Sequence, residues 1–350
     1  MIRPTTMLLL LLAAAPVLAG ADGDPATLYE RGAYRRAAAL AATRGDAASL
    51  AVLARVRALE GEYEAAVATA ERAVKAAPGS ADAHYALSEA HGLRARDAGP
   101  LKALGSARAF KREAEAALAV DPGHVESLMA LIEFHRMAPG IVGGDKKKRS
   151  ALLDRLVAAD PVRGWGMRAQ DALREKDTTR AELCWRKAIE LDPASARAKA
   201  ALAQWLAGSR RDVPLAEKLA AEATALEPWR IAPWQVLAAV QAHQKRWEEL
   251  DATLAKSEAA MDGRRDAWFS AGRQLVSDHV EPVRAERYLR HYLGAEPEPA
   301  APTPAVARWR LALALEQQAK KPEAIAELQT AVQLDPELDP ARKDLQRLKR

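Results

Sequence analysis

The chain has 350 residues, of which 28% are charged and only 5% aromatic, and its formal net charge is +5. Because this charge is small and the basic runs are short and interrupted by acidic residues, the composition argues against a nucleic-acid partner. The single cysteine, Cys184, excludes an internal disulfide, and its place beside Trp185 in an amphipathic segment predicts that it is buried.

Residues 1–21 have the pattern of a secretory signal peptide. Arg3 gives a positive start, an apolar run of 12 residues follows, and small residues near Ala19 and Ala21 offer cleavage sites. A membrane-spanning helix needs about 20 apolar residues, so this run is too short for an anchor. We therefore expect cleavage near Ala19 or Ala21, export to the periplasm, and no stable membrane insertion of the mature chain.

A pattern of paired helices repeats from residue 25 to residue 340. Within each period apolar residues recur twice at helical spacing, separated by a break rich in Gly, Lys, Asp or Arg. The second helix of each pair ends at a proline, which lacks an amide proton. The spacing predicts about eight helix pairs, some of them degenerate, with prolines at Pro78, Pro122, Pro161, Pro193, Pro228, Pro297 and Pro336.

The unit that ends at Pro193 shows the pattern most clearly. Its first helix is predicted from about Trp165 to Leu173, and its second from Ala181 to Leu191. Alanines at fixed places allow two helices to approach closely where a small side chain faces a large one. The residues that share this spacing are Trp165, Ala169, Ala181, Trp185 and Ala188, then Ala54, Gly61, Ala66, Ala70 and Ala73, and finally Ala324, Leu328 and Ala331.

In this register the chain resembles the tetratricopeptide repeat (TPR) family, and in particular its exported bacterial members. The resemblance covers nearly the whole mature chain. It implies an all-α fold, a right-handed superhelical solenoid of antiparallel helix pairs, in which the first helix of each pair lines a concave surface. It also implies that segments of partner proteins bind along that surface.

Four segments depart from the regular repeat. The first piece, Leu28–Arg44, has a short leading helix and is expected to cap the array, while extra residues between Arg94 and Gly105 lengthen one unit. Residues 247–262 keep helical periodicity but lose the small-residue pattern, which leaves their register open. Residues 341–350 are helical in pattern and strongly polar, so we predict a capping helix at the C-terminus.

Helical spacing nominates ten side chains for the concave surface. The set is mixed in sign and poor in apolar residues, so hydrogen bonds and charge pairs would give the specificity. The ten are Tyr85, Glu89, Met129, Glu133, Arg136, Gln170, Arg174, Arg197, Gln204 and Gln235. Trp229, Trp234 and Trp309 are the candidates for exposed anchors, although a tryptophan at such a position more often lies in the core between repeats.

A glycine-rich segment, Gly140–Lys146, is a second candidate site. It lacks the glycine directly before lysine and the Ser or Thr after it that a phosphate-binding loop requires. We therefore interpret Gly140, Gly143, Gly144, Asp145 and Lys146 as an elongated turn, with a partner-contacting loop as the alternative.

The histidines do not predict a metal site. His84 and His91 are two helical turns apart, too distant to share one ion, and we interpret them as surface residues. No cofactor is predicted. The absence of asparagine also excludes the lysine–asparagine carboxylate clamp of some cytoplasmic relatives.

The sequence thus predicts a non-catalytic scaffold or assembly adaptor in the bacterial cell envelope, binding one or more protein partners. No nucleophile elbow or His-Glu-x-x-His motif occurs. An envelope hydrolase or transferase with a site near Gly140–Lys146 is the first alternative, and a self-assembling structural array is the second. The identity of the partner and the oligomeric state stay open at this point.

Overall fold

The computed structural model of the protein describes residues 23–97, 99–140 and 143–350, so the predicted signal peptide lies outside the described residues. These residues form 19 helices and no strand. The helices are α1 Pro25–Glu30, α2 Tyr34–Arg44, α3 Ala47–Leu59, α4 Tyr63–Ala76, α5 Ala81–Asp97, α6 Pro100–Val120, α7 Val125–Met137, α8 Lys146–Ala159, α9 Pro161–Arg174, α10 Thr178–Leu191, α11 Ala196–Ser209, α12 Val213–Leu226, α13 Ile231–His243, α14 Trp247–Ala260, α15 Asp266–Asp278, α16 Pro282–Leu293, α17 Pro304–Glu316, α18 Lys321–Leu334 and α19 Asp339–Lys349.

Consecutive helices pack in antiparallel pairs, from α1–α2 to α17–α18, and α19 closes the array against α18. The described residues thus form nine pairs, where about eight were predicted. In the pair α9–α10 the helices contain both predicted segments, and Ala169, Ala181 and Ala188 are fully buried between them. The close packing of small side chains that the sequence predicted is therefore confirmed.

Short corners and turns connect these helices. Asp160 ends α8 and at the same time caps α9, because its Oδ1 accepts a hydrogen bond from the Arg163 amide at 2.9 Å. Within a pair, the turn commonly contains one residue in the left-handed region, such as Lys176 with φ of 62°. The breaks rich in Gly, Lys, Asp and Arg therefore correspond to tight turns inside each pair.

The odd-numbered helices lie on the inside of the curve. Successive odd helices contact one another at α3–α5, α9–α11, α11–α13, α13–α15 and α15–α17, whereas the even helices chiefly contact their odd neighbours. In a curved double layer the more closely spaced helices occupy the smaller radius. The exposed faces of the odd helices therefore form the concave surface, which we call the inner wall.

The array curves so far that its first pair meets connections near the other end. Nη1 of Arg264, before α15, donates a hydrogen bond to the carbonyl oxygen of Arg31 at 3.1 Å. Arg36 on α2 forms an ion pair with Asp262, with 2.7 Å between Nη1 and Oδ2. The predicted N-terminal cap therefore does not project freely from the array but contacts a distant part of it.

Arg35 extends this contact to the connection between α16 and α17. Its Nη2 lies 2.8 Å from Oε1 of Glu296, and its amide donates to Oε2 of Glu298 at 3.1 Å. We call the interaction between residues 31–36 and residues 262–298 the closure contact. It joins parts of the chain more than 220 positions apart and encloses the inner wall in a ring of helix pairs.

The remaining departures from the repeat are regular in structure. The extra residues near Arg94 lengthen α5 and α6 to 17 and 21 residues, compared with 13 or 14 in most other helices. The segment of open register forms a normal helix, α14, that packs on α13. The last helix begins at Asp339, two residues before the predicted start, and buries Ala341 and Leu348.

Glu286 on α16 connects two helix pairs through its carboxylate. Its oxygens accept hydrogen bonds from Lys320 Nζ and Arg290 Nε at 2.8 Å and from Gln318 Nε2 at 2.9 Å. Burial alone would raise the pKa of Glu286, but the hydrogen bonds from Lys320, Arg290 and Gln318 outweigh it and lower this pKa to about 2. The ionised form is therefore the one that stabilises the fold.

We predict that this carboxylate makes unfolding depend on pH. Because the folded pKa lies below the ordinary value of 4.5, the stabilisation is complete above that value and is lost as the pH falls toward 2. After allowance for solvent screening, Glu286→Gln should lower the free energy of unfolding by on the order of 1–2 kcal/mol at neutral pH and by almost nothing near pH 2. Denaturant titrations at the two pH values measure the difference.

The matched control for Glu286→Gln is Glu323→Gln, on the exposed start of α18. It should change the free energy of unfolding by no more than about 0.5 kcal/mol at either pH. An equal loss for Glu286→Gln at both pH values would contradict the assigned role of the carboxylate.

Candidate functional site

The first part of the inner wall is a stack of aromatic rings around one ion pair. The guanidinium of Arg55 on α3 lies between the rings of Tyr29 and Tyr85, at 4.1 and 5.1 Å from their centroids. Its Nε donates to Oε2 of Glu89 at 2.6 Å, and the hydroxyl of Tyr85 donates to Oε1 of the same carboxylate at 3.3 Å. Tyr85 and Glu89, both predicted groove residues, thus contact each other.

Burial, and next the charge of Glu89, raise the pKa of Tyr85 well above its ordinary value, so the phenol stays protonated and can donate. The guanidinium of Arg55 is held by a tyrosine ring on each face and by the carboxylate of Glu89 at its edge. This part of the wall is therefore preorganised, with Glu89 already neutralised by a partner from the neighbouring helix.

The middle of the wall carries a second charge network. Glu133 on α7 accepts a hydrogen bond from Arg136 Nε at 2.7 Å and lies 3.8 Å from Arg174 on α9. Arg174 also pairs with Asp171 at 3.0 Å. Three predicted groove residues, Glu133, Arg136 and Arg174, are thereby brought together. Two others lie nearby on the same helices, Met129 half-buried and Gln170 exposed.

A cleft of about 550 Å³ opens between α5, α6 and α7. Phe110 and Phe134 stack at its base with ring centroids 5.8 Å apart. Met137 lines one side and is 69% exposed, which is unusual for a side chain of this kind. The insertion seen in the sequence, which lengthens α5 and α6, thus lies beside this cleft.

The last part of the wall contains a cleft of about 390 Å³ between α11, α13 and α15, which we call the α13 cleft. Gln204 is exposed on one side of it, and on the other Gln235 Nε2 donates to Oγ of Ser270 at 2.7 Å. The floor is made of small residues such as Ala239. Two predicted groove residues thus border a single cleft whose floor a partner backbone can approach closely.

Arginines without a carboxylate partner distinguish this part of the wall. Arg210 and Arg273 line the α13 cleft, and Asp and Glu are absent from its described lining. Arg197 lies on α11 and Arg310 on α17. Among the described residues none of these four side chains forms a hydrogen bond or an ion pair.

The environment of Arg197 explains how an arginine can be both exposed and destabilised as a cation. Its side chain is accessible to solvent, yet it lies in the concavity between neighbouring helix ends. Burial by the surrounding protein, then Arg230 and Arg163, lower the pKa of Arg197. At this predicted groove position the carboxylates of Glu227 and Asp160 therefore compensate the positive charge only in part.

The structure decides between the two interpretations of the tryptophans. Trp234 is only 8% exposed, and its Nε1 donates to the carbonyl oxygen of Pro228 at 2.8 Å, so it is a core residue rather than an exposed anchor. Trp229 is half-buried, and the guanidinium carbon of Arg31 lies 5.1 Å from the centroid of its indole ring. Trp229 therefore takes part in closing the array of helix pairs. Trp309 is also half-buried, and its Nε1 donates to Asp344 on α19 at 2.8 Å.

The glycine-rich segment starts helix α8. Asp145 Oδ1 accepts hydrogen bonds from the amides of Lys147 and Lys148 at 2.8 and 3.1 Å, and the Lys148 bond is the main reason that the pKa of Asp145 is lowered. Gly144 donates its amide proton to Pro139, and a Cβ here would lie 1.8 Å from the Ala138 carbonyl oxygen. The described residues of this segment thus have a structural role as a turn and helix cap.

His84 and His91 are not surface residues, contrary to the prediction. Nδ1 of His84 lies 2.9 Å from Oε2 of Glu113 across the α5–α6 pair, and His91 is 7% exposed in the same pair. In the described part of the chain, no three His, Cys, Asp or Glu side chains are grouped to hold a metal ion. Cys184 is buried as predicted, and burial raises the pKa of its thiol.

No protein family model matches the chain, and no curated protein matches it. Among solved structures, yeast Tom70 has a TM-score of 0.53 and 12% identity, covering 93% of this chain and 86% of that chain. Two structures of the human IFIT1 dimer, with PPP-AAAA and with m7Gppp-AAAA, have TM-scores of 0.46 and 0.47 and identities of 17% and 16%, each covering 85% of this chain and 81% of that chain. Tom70 is a TPR-type helical repeat protein, and the likeness shows the fold alone.

The fold class predicted from the sequence is therefore confirmed: the protein is an all-α solenoid of helix pairs of the TPR kind. None of the described helices combines the length and the apolar character needed to cross a membrane.

Sequence reasoning missed Arg55, Arg210, Arg273 and Arg310 as inner-wall residues. The signal for one of them was present, since Arg273 falls two repeats after Gln204 and at the equivalent helical position. The others could not be found in this way, because a repeat register gives the face of a helix but not the identity of a side chain's partner.

Proposed function

We propose that the protein is a non-catalytic scaffold whose inner wall holds an extended segment of a partner protein. The observation that carries the proposal is the α13 cleft, where Gln204 and Gln235 face a floor of alanines. Amide side chains both donate and accept hydrogen bonds and so match the groups of a peptide backbone. A floor of small residues allows that backbone to approach without a clash.

The state of the polar groups supports a binding role over a catalytic one. The Ser270 hydroxyl in the cleft accepts from Gln235 and lacks a histidine or carboxylate partner among the described residues. In the alternative site, the carboxylate of Asp145 is already engaged in capping α8. These contacts favour the scaffold over a hydrolase or transferase.

The proposal also includes the location of the scaffold. Residues 1–21 have the order of parts of a signal peptide, and the single cysteine leaves no internal disulfide to form after export. We therefore place the protein in the bacterial cell envelope, in the periplasm, as an adaptor or assembly factor. Export predicts that the protein isolated from the periplasm begins just after Ala19 or Ala21, which N-terminal sequencing by mass spectrometry tests.

A photo-crosslinking experiment tests the binding face. A benzoylphenylalanine in place of Gln204 on the inner wall should form specific adducts with a partner protein in intact cells. The matched control is Leu183 on the outer helix α10, which is 61% exposed and should give no adduct above background. Equal labelling from the two positions, or no adduct from Gln204, would contradict the proposed groove.

A further inference from the structure

Charge compensation differs sharply between the inner wall and the rest of the C-terminal half. Most arginines of the C-terminal half pair with carboxylates at short distances, for example Arg246, just before α14, with Glu217 at 2.5 Å and Arg308 on α17 with Glu327 at 2.7 Å. By contrast, Arg210 at the C-terminal end of α11, Arg273 on α15 and Arg310 on α17 have no such partner within the described residues.

Among the described residues, Arg310 lacks a carboxylate partner even though its side chain is not fully exposed to water. Its guanidinium stacks on the ring of Trp309 at 4.0 Å, and its Nε is buried without a hydrogen-bond acceptor. Burial, and next the positive charge of Arg273, lower the pKa of Arg310 and outweigh the opposite effect of the Asp344 carboxylate. A buried donor and a nearby like charge both raise the free energy of the unbound wall.

A bound anion would relieve both of these costs at once. It would accept the unused donors of Arg310 and screen the repulsion between the two arginines. Carboxylates suit this task, because an arginine forms paired hydrogen bonds with them in a fixed plane.

We propose that the inner wall from α11 to α17 binds an acidic, extended segment of the partner protein, whose carboxylates pair with Arg210, Arg273 and Arg310. This inference rests on the proposed function and gives the chemical class of the segment. The peptide backbone lies over the alanine floor between Gln204 and Gln235, and acidic side chains extend to the arginines on either side.

The lining of the α13 cleft favours a peptide over a single-stranded nucleic acid, which would also supply negative charge. Proteins that bind single strands stack the bases on aromatic side chains. The described lining contains no Phe, Trp or Tyr, while Gln204, Gln235 and the alanines supply the hydrogen bonds and close approach that a peptide requires.

Fluorescence anisotropy with labelled probes and the purified mature protein tests the proposal. The probes are a peptide of alternating glutamate and serine, the same peptide with glutamine in place of glutamate, and oligothymidylate. We expect the acidic peptide to bind at least about tenfold more tightly than the glutamine peptide, and its affinity to fall as salt is added.

The variants then locate the site. Arg273→Gln should weaken binding of the acidic peptide about tenfold and leave binding of the glutamine peptide unchanged. Arg310→Gln should have a similar effect, but its contact with Trp309 means that its thermal unfolding must be checked. Because Arg273 is exposed, its variant carries the test if Arg310→Gln unfolds. The matched control is Arg186→Gln on the outer helix α10, where Arg186 pairs with Glu182.

Three results would overturn the inference. They are equal affinity for the acidic and glutamine peptides, an acidic-peptide affinity that Arg273→Gln leaves unchanged, and tighter binding of oligothymidylate than of the acidic peptide. The photo-crosslinking from Gln204 tests the scaffold function independently of these three results. A specific adduct there together with a negative peptide result would keep the scaffold function and remove only the acidic partner class.

Discussion

Replacement of Gly164 by alanine is expected to lower the free energy of unfolding by about 2–3 kcal/mol. A Cβ at this position would lie 2.6 Å from the Cα and 2.8 Å from the amide nitrogen of Val157 on α8. Both are backbone atoms, so no side-chain rotation can make room, and α9 must move away from α8. The interface of two neighbouring pairs would therefore lose packing over several residues.

Gly166, one half-turn further along α9, provides the matched control. A Cβ there would meet no atom within 4 Å, and alanine favours a helix over glycine, so Gly166→Ala should raise the free energy of unfolding by about 0.5–1 kcal/mol. Urea titrations followed by circular dichroism measure both variants. If the two substitutions have effects of the same sign, the close approach of α8 and α9 at Gly164 is wrong.

The second large effect is expected on the closure contact. Arg35→Glu combined with Arg36→Glu replaces two attractive pairs by repulsion against Glu296 and Asp262. The arginine side chains are 46% and 50% exposed, so each pair contributes only about 0.2–1 kcal/mol. Loss of attraction and gain of repulsion together should shift the equilibrium toward an open ring by roughly tenfold to a hundredfold.

Fluorescence energy transfer between labels on α2 and α16 measures this opening, and a larger radius of gyration in X-ray scattering confirms it. Arg44→Glu, on the same helix but outside the closure contact, is the control and should leave both readouts unchanged. The reciprocal change Asp262→Arg, added to Arg36→Glu, should restore the closed ring. Unchanged energy transfer in the double variant would show that ion pairs do not hold the ring closed.

Closure has a consequence for binding. With the first pair in contact with residues 262–298, the inner wall is surrounded by helix pairs, so a partner segment enters along the axis of the ring or after the contact opens. Because the contact consists mainly of exposed ion pairs, salt weakens it as well as the binding of an acidic segment. Energy transfer without a ligand separates the two effects.

Much of the fold followed from spacing alone. Prolines such as Pro193, breaks such as the one at Lys176, and alanines such as Ala181 indicated where each helix ends, turns and packs. These features depend on residues close in sequence, so a single chain reveals them. The tryptophans were less predictable, because an apolar ring at helical spacing can face either the next pair or the inner wall. Trp234 lies in the core between pairs.

By itself the sequence determined the helical pairs, their stacking and the face of each helix, because these depend on a short repeated pattern. Only the tertiary structure decided which side chains meet across pairs and that the first pair touches residues far along the chain. The physical reason is that the curvature of the array is the sum of small rotations between successive pairs. Each rotation depends on the packing of particular side chains. The same summation brings Arg273 near Arg310 and leaves both without a carboxylate ion-pair partner among the described residues.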